Sequence, residues 1–168
     1  MHRLFQLALF ATAAAVMVLF AAIGTSATGT SASGPMTRLA KRALSVRIST
    51  RKLPKLGTVL VNSKGRTLYM FVPDKRKKVT CVRACAAIWP PVKLPKGAKP
   101  VASGQAKSSL LGSDRDPTGG RVVTYAHWPL YTYVADTKAG TAKGQALNLN
   151  GGLWYVLTPS GKVVRKKP

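Results

Sequence analysis

The sequence LYMFVPD at residues 68–74 returns as LYTYVAD at residues 130–136. Both copies keep a leucine, a tyrosine, a second aromatic residue and an aspartate at the same spacing. Each copy follows a β-rich run that contains turn residues, at 57–67 in the first case and at 120–129 in the second. Two copies of one hairpin are therefore the first prediction from this sequence.

The alternation within the first copy predicts a central strand, because Tyr69 and Phe71 share one face and Leu68 and Met70 share the other. We predict a mainly β fold, in which a small single domain contains two pseudo-symmetric antiparallel hairpin repeats. A short helical segment is expected near Cys81–Trp89. The predicted domain spans residues 56–165, with repeats at about 57–91 and 120–160. Large rings need burial, so six residues are expected in or beside the core: Tyr69, Phe71, Trp89, Tyr131, Tyr133 and Trp154.

The N-terminal residues 4–23 form an apolar run that is interrupted only by Gln6 and Thr12 and is followed by small residues. This pattern predicts a signal peptide or N-terminal anchor at residues 1–27. Residues 28–55 are predicted to be a flexible basic linker, with a short amphipathic helix at 36–46 as the alternative. Residues 166–168 form a basic tail. We expect an extracytoplasmic protein, either secreted or membrane-anchored by an uncleaved N-terminal segment.

Positive charge dominates the composition: 27 Lys and Arg residues face four acids, and the formal net charge is +23. Ion pairs within the chain can neutralise few of these cations, so most must face water or an external polyanion. We predict an anionic envelope polymer or a membrane surface as the partner. Export argues against nucleic acid as the physiological ligand. The alternative is a solvated basic surface with no specific partner.

The two cysteines, Cys81 and Cys85, are most simply joined by a disulfide in an exported chain. A free redox-active pair and metal ligation are the alternatives. The only other histidine or cysteine after the leader is His127, which is expected at the tip of the second hairpin. An extracytoplasmic redox or metal-binding protein that uses Cys81, Cys85 and His127 is therefore the alternative function. Nothing in the spacing selects a cofactor or a metal.

The matched acids Asp74 and Asp136 have two interpretations. A pair of carboxyls held about 5 to 9 Å apart in one cleft performs acid and base chemistry in some hydrolases. An aspartate at the end of a strand also caps the following turn by accepting backbone N–H groups, and we favour this structural role. The sequence has no catalytic serine motif, phosphate-binding loop or dinucleotide-binding motif, so we predict no catalytic residue and a non-catalytic protein.

A family resemblance is carried by four groups of residues: the twin Y-x-[FWY]-x-x-D motif (Tyr69 to Asp74 and Tyr131 to Asp136), Cys81 and Cys85 followed by Trp89-Pro90-Pro91, the segments Thr124-Tyr125 and Pro129-Leu130-Tyr131, and Gly152-Leu153-Trp154-Tyr155-Val156. Together they resemble the bacterial secreted-repeat lipoprotein family over about residues 57–160. Because that family has no established function, the resemblance implies export and a repeated β-rich unit but supplies no catalytic residue. This chain lacks the lipid-bearing cysteine of the lipoproteins. It has Ala126-His127 where the family often has Asn-Gly.

Overall fold

A computed structural model describes residues 45–75 and 78–167. In it, the two repeats fold into three small β-sheets. One short α-helix, α1 (Ala84–Ile88), and two 3₁₀ turns, η1 (Val72–Asp74) and η2 (Ser108–Leu110), connect the strands. The strands are β1 (Ser45–Leu53), β2 (Gly57–Asn62), β3 (Tyr69–Phe71), β4 (Lys93–Leu94), β5 (Lys99–Ala102), β6 (Leu111–Arg115), β7 (Arg121–Tyr125), β8 (Trp128–Pro129), β9 (Asn148–Leu149) and β10 (Gly152–Val156). The protein is mainly β with two repeats, as predicted.

The sheets are predominantly antiparallel. The first has the order β2-β1-β5, and its β1–β5 pair is parallel. The second has the order β3-β10-β9. The third has the order β4-β7-β6, with β8 folded back on β7. Strands from the two repeats therefore share a sheet, because β3 of the first repeat pairs with β10 of the second.

The prediction of a flexible linker is wrong for residues 45–55, because most of them belong to β1. This strand pairs with β2 over six residues, from Ile48 opposite Asn62 to Leu53 opposite Gly57. Ile48 and Leu53 are buried in the core, whereas the cations between them point outward and give the segment the composition of a linker. Pairing on both edges stabilises a strand that its local sequence indicates only weakly. The leader at 1–27, the rest of the linker and the alternative helix at 36–46 lie outside the described residues.

Both hairpin turns lie where the sequence predicts them. In the first, the side chain of Asn62 accepts hydrogen bonds from the backbone N–H groups of Lys64 (2.9 Å) and Arg66 (3.0 Å). In the second, Ala126 and His127 join β7 to β8 with φ angles of 48° and 67°. Two consecutive residues with positive φ match the twist of a two-residue hairpin. The second turn therefore adopts this conformation without the Asn-Gly pair that favours it.

The short elements between the two repeats have little sequence signal. Ser108–Leu110 is a 3₁₀ turn that leads directly into β6. β4 and β5 lie in a segment rich in Pro, Gly and Lys, at residues 93–107. These strands are two to five residues long. Their sequences are too short to show a period, so pairing with neighbours determines their conformation.

Candidate functional site

The two repeats meet at Tyr69 and Tyr131. The backbone N–H of each tyrosine donates to the carbonyl oxygen of the other, and both distances are 2.9 Å. This pair forms an isolated antiparallel bridge between the two repeats. Both side chains are completely buried. The matched tyrosines therefore face each other across the junction, and the local pseudo-two-fold axis passes between them.

The tyrosine hydroxyls cross this junction to the acid of the opposite repeat. The Tyr69 hydroxyl donates to Oδ2 of Asp136 at 2.5 Å, and the Tyr131 hydroxyl donates to Oδ2 of Asp74 at 2.7 Å. Both carboxylates are buried, with 0% and 1% of the residue surface of Asp74 and Asp136 exposed. Neither repeat binds its own tyrosine to its own aspartate. The junction is thus held by two equivalent, exchanged hydrogen bonds.

The second oxygen of each carboxylate caps the loop that follows it. Oδ1 of Asp74 accepts from the backbone N–H of Thr80 (2.8 Å) and from its hydroxyl (2.6 Å). Oδ1 of Asp136 accepts from the backbone N–H of Lys143 (2.8 Å). The predicted capping role is therefore present in both repeats. Nothing in the sequence indicates the tyrosine partners, since equal spacing in both copies fits bonds within a repeat as well as bonds between repeats.

Burial controls the protonation of this junction. Desolvation raises the pKa of Asp74 above its usual range, although hydrogen bonds from Thr80 and Tyr131 oppose the shift. Desolvation also raises the pKa of Tyr69 and of Tyr131 above that of a free phenol, and the neighbouring carboxylates add to the rise. The phenols thus keep their protons and serve as donors. In this arrangement the matched acids accept structural hydrogen bonds from tyrosine hydroxyls that are shielded from solvent.

Four aromatic rings stack beside the junction and also alternate between repeats. The indoles of Trp89 and Trp154 lie parallel with centroids 3.8 Å apart. Phe71 stacks on Trp154 and Tyr133 stacks on Trp89, both at 4.1 Å. Stacked and edge-on rings contribute about 0.5–1.5 kcal/mol per pair beyond burial. All six aromatic residues predicted for the core lie in this cluster, with Tyr133 only partly buried.

An open cleft of about 740 Å³ lies between the β4–β5 turn and the β6–β7 turn. Lys96 lies on the first of these turns, and Arg115 and Arg121 flank the second. The acid in the cleft is Asp116, which forms an ion pair with Lys93. Burial alone would raise the pKa of Asp116, but hydrogen bonds from Lys93 and Thr118 outweigh it and hold the pKa below its usual range. The exposed rim of the cleft is therefore cationic.

The two hairpins coincide with two matches to the sequence model of a protein family. That family is described as a secreted repeat of unknown function, and the matches cover residues 50–93 and 113–158. This chain belongs to that family.

The description of the secreted-repeat family supports an extracytoplasmic location for this member. No curated protein and no solved structure matches the chain significantly. Within residues 45–75 and 78–167, no helix is long and apolar enough to cross a membrane. The described part of this secreted-repeat protein thus contains the two repeats and their junction.

The remaining predicted site residues lie apart from one another. Cys81 and Cys85 form the predicted disulfide at the start of α1, so both sulfurs are bonded. His127 is exposed in the β7–β8 turn, which packs with a different hydrophobic cluster from that of the cysteines. Among the residues that the structure describes, no group of three or more His, Cys, Asp or Glu side chains could hold a metal ion.

Two residues of structural importance were missed by sequence reasoning. Gln145 is buried and bonds three backbone groups, those of Val156, Val164 and Lys166, which fastens the C-terminal segment to β10. Gly144 packs against the ring of Trp89, where a Cβ atom would come within 2.6 Å. A glutamine and a glycine in a loop rich in Gly and Lys carry no signal that separates these roles from those of ordinary loop residues.

Proposed function

We propose that this secreted-repeat protein is a non-catalytic module of the cell envelope that associates through its cationic surface with anionic polymers or lipids. The single observation that carries the proposal is the distribution of charge. Asp74, Asp116 and Asp136 are buried, and Asp114 is partly buried. Most of the Lys and Arg residues that the structure describes are exposed. The solvent-facing surface therefore carries cations with almost no acids between them.

Ion pairing within the protein leaves this field largely unneutralised. In the described part of the chain, the one salt bridge joins Lys93 to Asp116. Near an anionic surface each exposed cation contributes about 1 kcal/mol, and the contribution decays over a Debye length of roughly 8 to 10 Å at physiological salt. A surface with many such cations binds polyanions strongly at low salt, and salt reverses the binding.

The burial and hydrogen bonding of the matched acids support a non-catalytic role. Asp74 and Asp136 are shielded from solvent, and each accepts a tyrosine hydroxyl and a backbone N–H. A general acid or base needs to reach a proton on the substrate. One oxygen of each carboxylate is instead bonded to the tyrosine of the other repeat, and the second oxygen caps the loop that follows.

Sedimentation with vesicles tests the proposal. The protein should pellet with vesicles that contain phosphatidylglycerol at about 0.05 M salt and be released at about 0.5 M, where the Debye length is roughly 4 Å. Vesicles of phosphatidylcholine alone are the control. A variant with Lys52, Lys55 and Lys64 changed to Gln should pellet less at the same salt. Substitution is used because deletion of the basic segment up to residue 55 would remove β1.

Two results would contradict the proposal. One is binding that is indifferent to salt and to the triple lysine change. The other is binding that disappears in Asp74→Asn or Asp136→Asn while the fold persists, since this would identify the repeated motif as the binding site.

A further inference from the structure

The cationic cleft has a feature that the rest of the basic surface lacks within residues 45–75 and 78–167. Arg115 and Arg121 lie directly opposite each other in the β6–β7 register. Like charges at directly opposed positions of an antiparallel pair destabilise the sheet. In the described part of the chain, the guanidinium of Arg115 forms no ion pair and its side chain forms no hydrogen bond, although its backbone is part of the β6–β7 ladder. This unfavourable juxtaposition would be relieved by an anion bound between the two guanidinium groups.

We propose that the cleft bounded by Lys96, Arg115 and Arg121 binds the phosphate groups of a phosphodiester polymer. The inference rests on the proposed function, which it narrows from any anionic surface to one site and one ligand chemistry. The cleft volume of about 740 Å³ lies within the range of about 300–1,000 Å³ that is usual for ligand sites.

Arg121 is positioned in advance for such a ligand. Its Nε donates to the hydroxyl of Ser113 at 2.7 Å, and one of its terminal nitrogens donates to the carbonyl oxygen of Ser113 at 2.5 Å. A guanidinium has five N–H donors in a rigid plane, so several remain for a ligand. A side chain already held in place loses less conformational entropy on binding.

The acid in the cleft does not cancel this charge. Asp116 is 3% exposed, and its carboxylate is held by Lys93 and by the backbone and hydroxyl groups of Thr118. An anion at the rim would therefore meet three exposed cations, while the carboxylate below them is already paired.

The shape of the cleft favours a polymer over a bilayer surface. Gly97, Gly119 and Gly120 line it, and a Cβ atom built at any of them would have no neighbour within 4 Å. The two turns thus carry no side chain at these three positions, which leaves the space beside them free for a narrow polymer chain. A phosphodiester suits these cations because its two non-bridging oxygens share a full negative charge and can accept paired hydrogen bonds from a guanidinium. Successive phosphates along a polymer can then contact different cations of the cleft.

The test compares two double variants of the whole protein that lose the same formal charge. Lys96→Ala with Arg115→Ala alters the cleft, and Lys64→Ala with Lys138→Ala removes two exposed cations that do not line it. The probes are linear poly(glycerol phosphate), poly(glutamic acid) of matched charge, and phosphatidylglycerol vesicles. Affinity is measured by titration over a series of salt concentrations, after thermal melts establish that both variants are folded.

The cleft variant should bind poly(glycerol phosphate) roughly tenfold or more weakly than the unaltered protein at physiological salt. Its slope of log affinity against log salt should fall by about 1 to 2, because two phosphate contacts are lost. The control variant should lose roughly threefold or less. Both variants should respond alike to poly(glutamic acid) and to vesicles.

Equal losses in the two variants would overturn the inference and leave the proposed function intact, because binding would then be spread over the surface. A loss in the cleft variant that is confined to vesicles would also overturn it, in favour of a lipid headgroup. Failure of the unaltered protein to bind any of the three probes would remove the proposed function and the inference together.

Discussion

The hydroxyl of Tyr69 lies 2.5 Å from a carboxylate oxygen of Asp136, the acid that belongs to the other repeat. The pattern is reciprocal, since Tyr131 reaches Asp74. In both copies the aspartate follows its tyrosine by five residues. This constant spacing thus serves a hydrogen bond to the other copy and not a bond within one copy.

The exchanged bonds predict a specific pattern of energetic coupling. Tyr69→Phe removes one donor to a buried carboxylate and should lower the free energy of unfolding by about 2 kcal/mol. In a double-mutant cycle, Tyr69→Phe and Asp136→Asn should couple by about 1–2 kcal/mol, whereas Tyr69→Phe and Asp74→Asn should be additive within about 0.5 kcal/mol. Urea unfolding of the single and double variants measures both cycles. Coupling of Tyr69 to Asp74 instead of Asp136 would show that the bonds stay within each repeat.

Alkaline pH should destabilise the protein through the two buried phenols. Their pKa values are raised in the folded state, so both states hold the proton below about pH 10, the pKa of a free tyrosine. Above that pH the unfolded chain releases the proton and the folded protein retains it. Each buried phenol then lowers the free energy of unfolding by about 1.4 kcal/mol per pH unit.

The matched comparison for this pH dependence is Tyr69→Phe. The variant should lose stability less steeply than the unaltered protein above about pH 10, by about 1.4 kcal/mol per unit. Lysine deprotonation contributes equally to both proteins and cancels from the difference. Parallel curves for the two proteins would contradict the raised pKa of Tyr69.

Acid should increase the contribution of Asp74 to stability, whereas it decreases the contribution of an aspartate in a surface salt bridge. Desolvation raises its folded-state pKa, although hydrogen bonds oppose the shift. The folded protein therefore takes up the proton at a higher pH than the unfolded chain does. The contribution of Asp74 to stability rises as pH falls through the folded pKa, and it levels off below about pH 4. As the pH falls from 7 to about 4, the urea midpoint of the unaltered protein should rise relative to that of Asp74→Asn. A fall relative to the variant would contradict the prediction.

The disulfide should make a modest contribution to stability. Cys81 and Cys85 are separated by four positions, and closing so short a loop contributes about 2 kcal/mol on the chain-entropy scale. Reduction should lower the thermal midpoint while the native far-ultraviolet spectrum persists at room temperature. Cys81→Ser with Cys85→Ser is the matched variant. Alkylation of both thiols in the unreduced protein, seen in the intact mass, would show that the bridge is not formed.

The sequence predicted the parts of this fold that depend on local pattern. The repeat, both hairpin turns and the six core aromatic residues follow from spacing and from the need to bury large rings. The exchange of tyrosine and aspartate partners depends on how the two repeats dock, and nothing in one repeat encodes it. β1 was missed for a related reason: Arg47, Arg51 and Lys52 mask a strand whose stability derives from its neighbours on both edges.

The candidate site likewise has one part that the sequence predicted and one part that it did not. Asp74 and Asp136 were expected to cap turns, and they do so through Thr80 and Lys143. The cationic cleft was not foreseen, because Lys96 and Arg121 belong to segments far apart in sequence that only the β4–β7 pairing brings together. The composition predicts the positive net charge. The clustering of cations in one cleft depends on the register of the strands, which the composition does not predict.

The exchanged bonds have a consequence for a chain of half this length. A single repeat would contain a phenol without its acceptor and an acid without its donor, and both would be exposed in an incomplete core. Two such half-chains could satisfy both groups only by association about a two-fold axis, with identical contacts on each side. The protein therefore has the internal layout of a homodimer whose subunits were joined into one polypeptide. Neither half should persist when the other unfolds, so denaturation of this domain is expected to be a single cooperative transition.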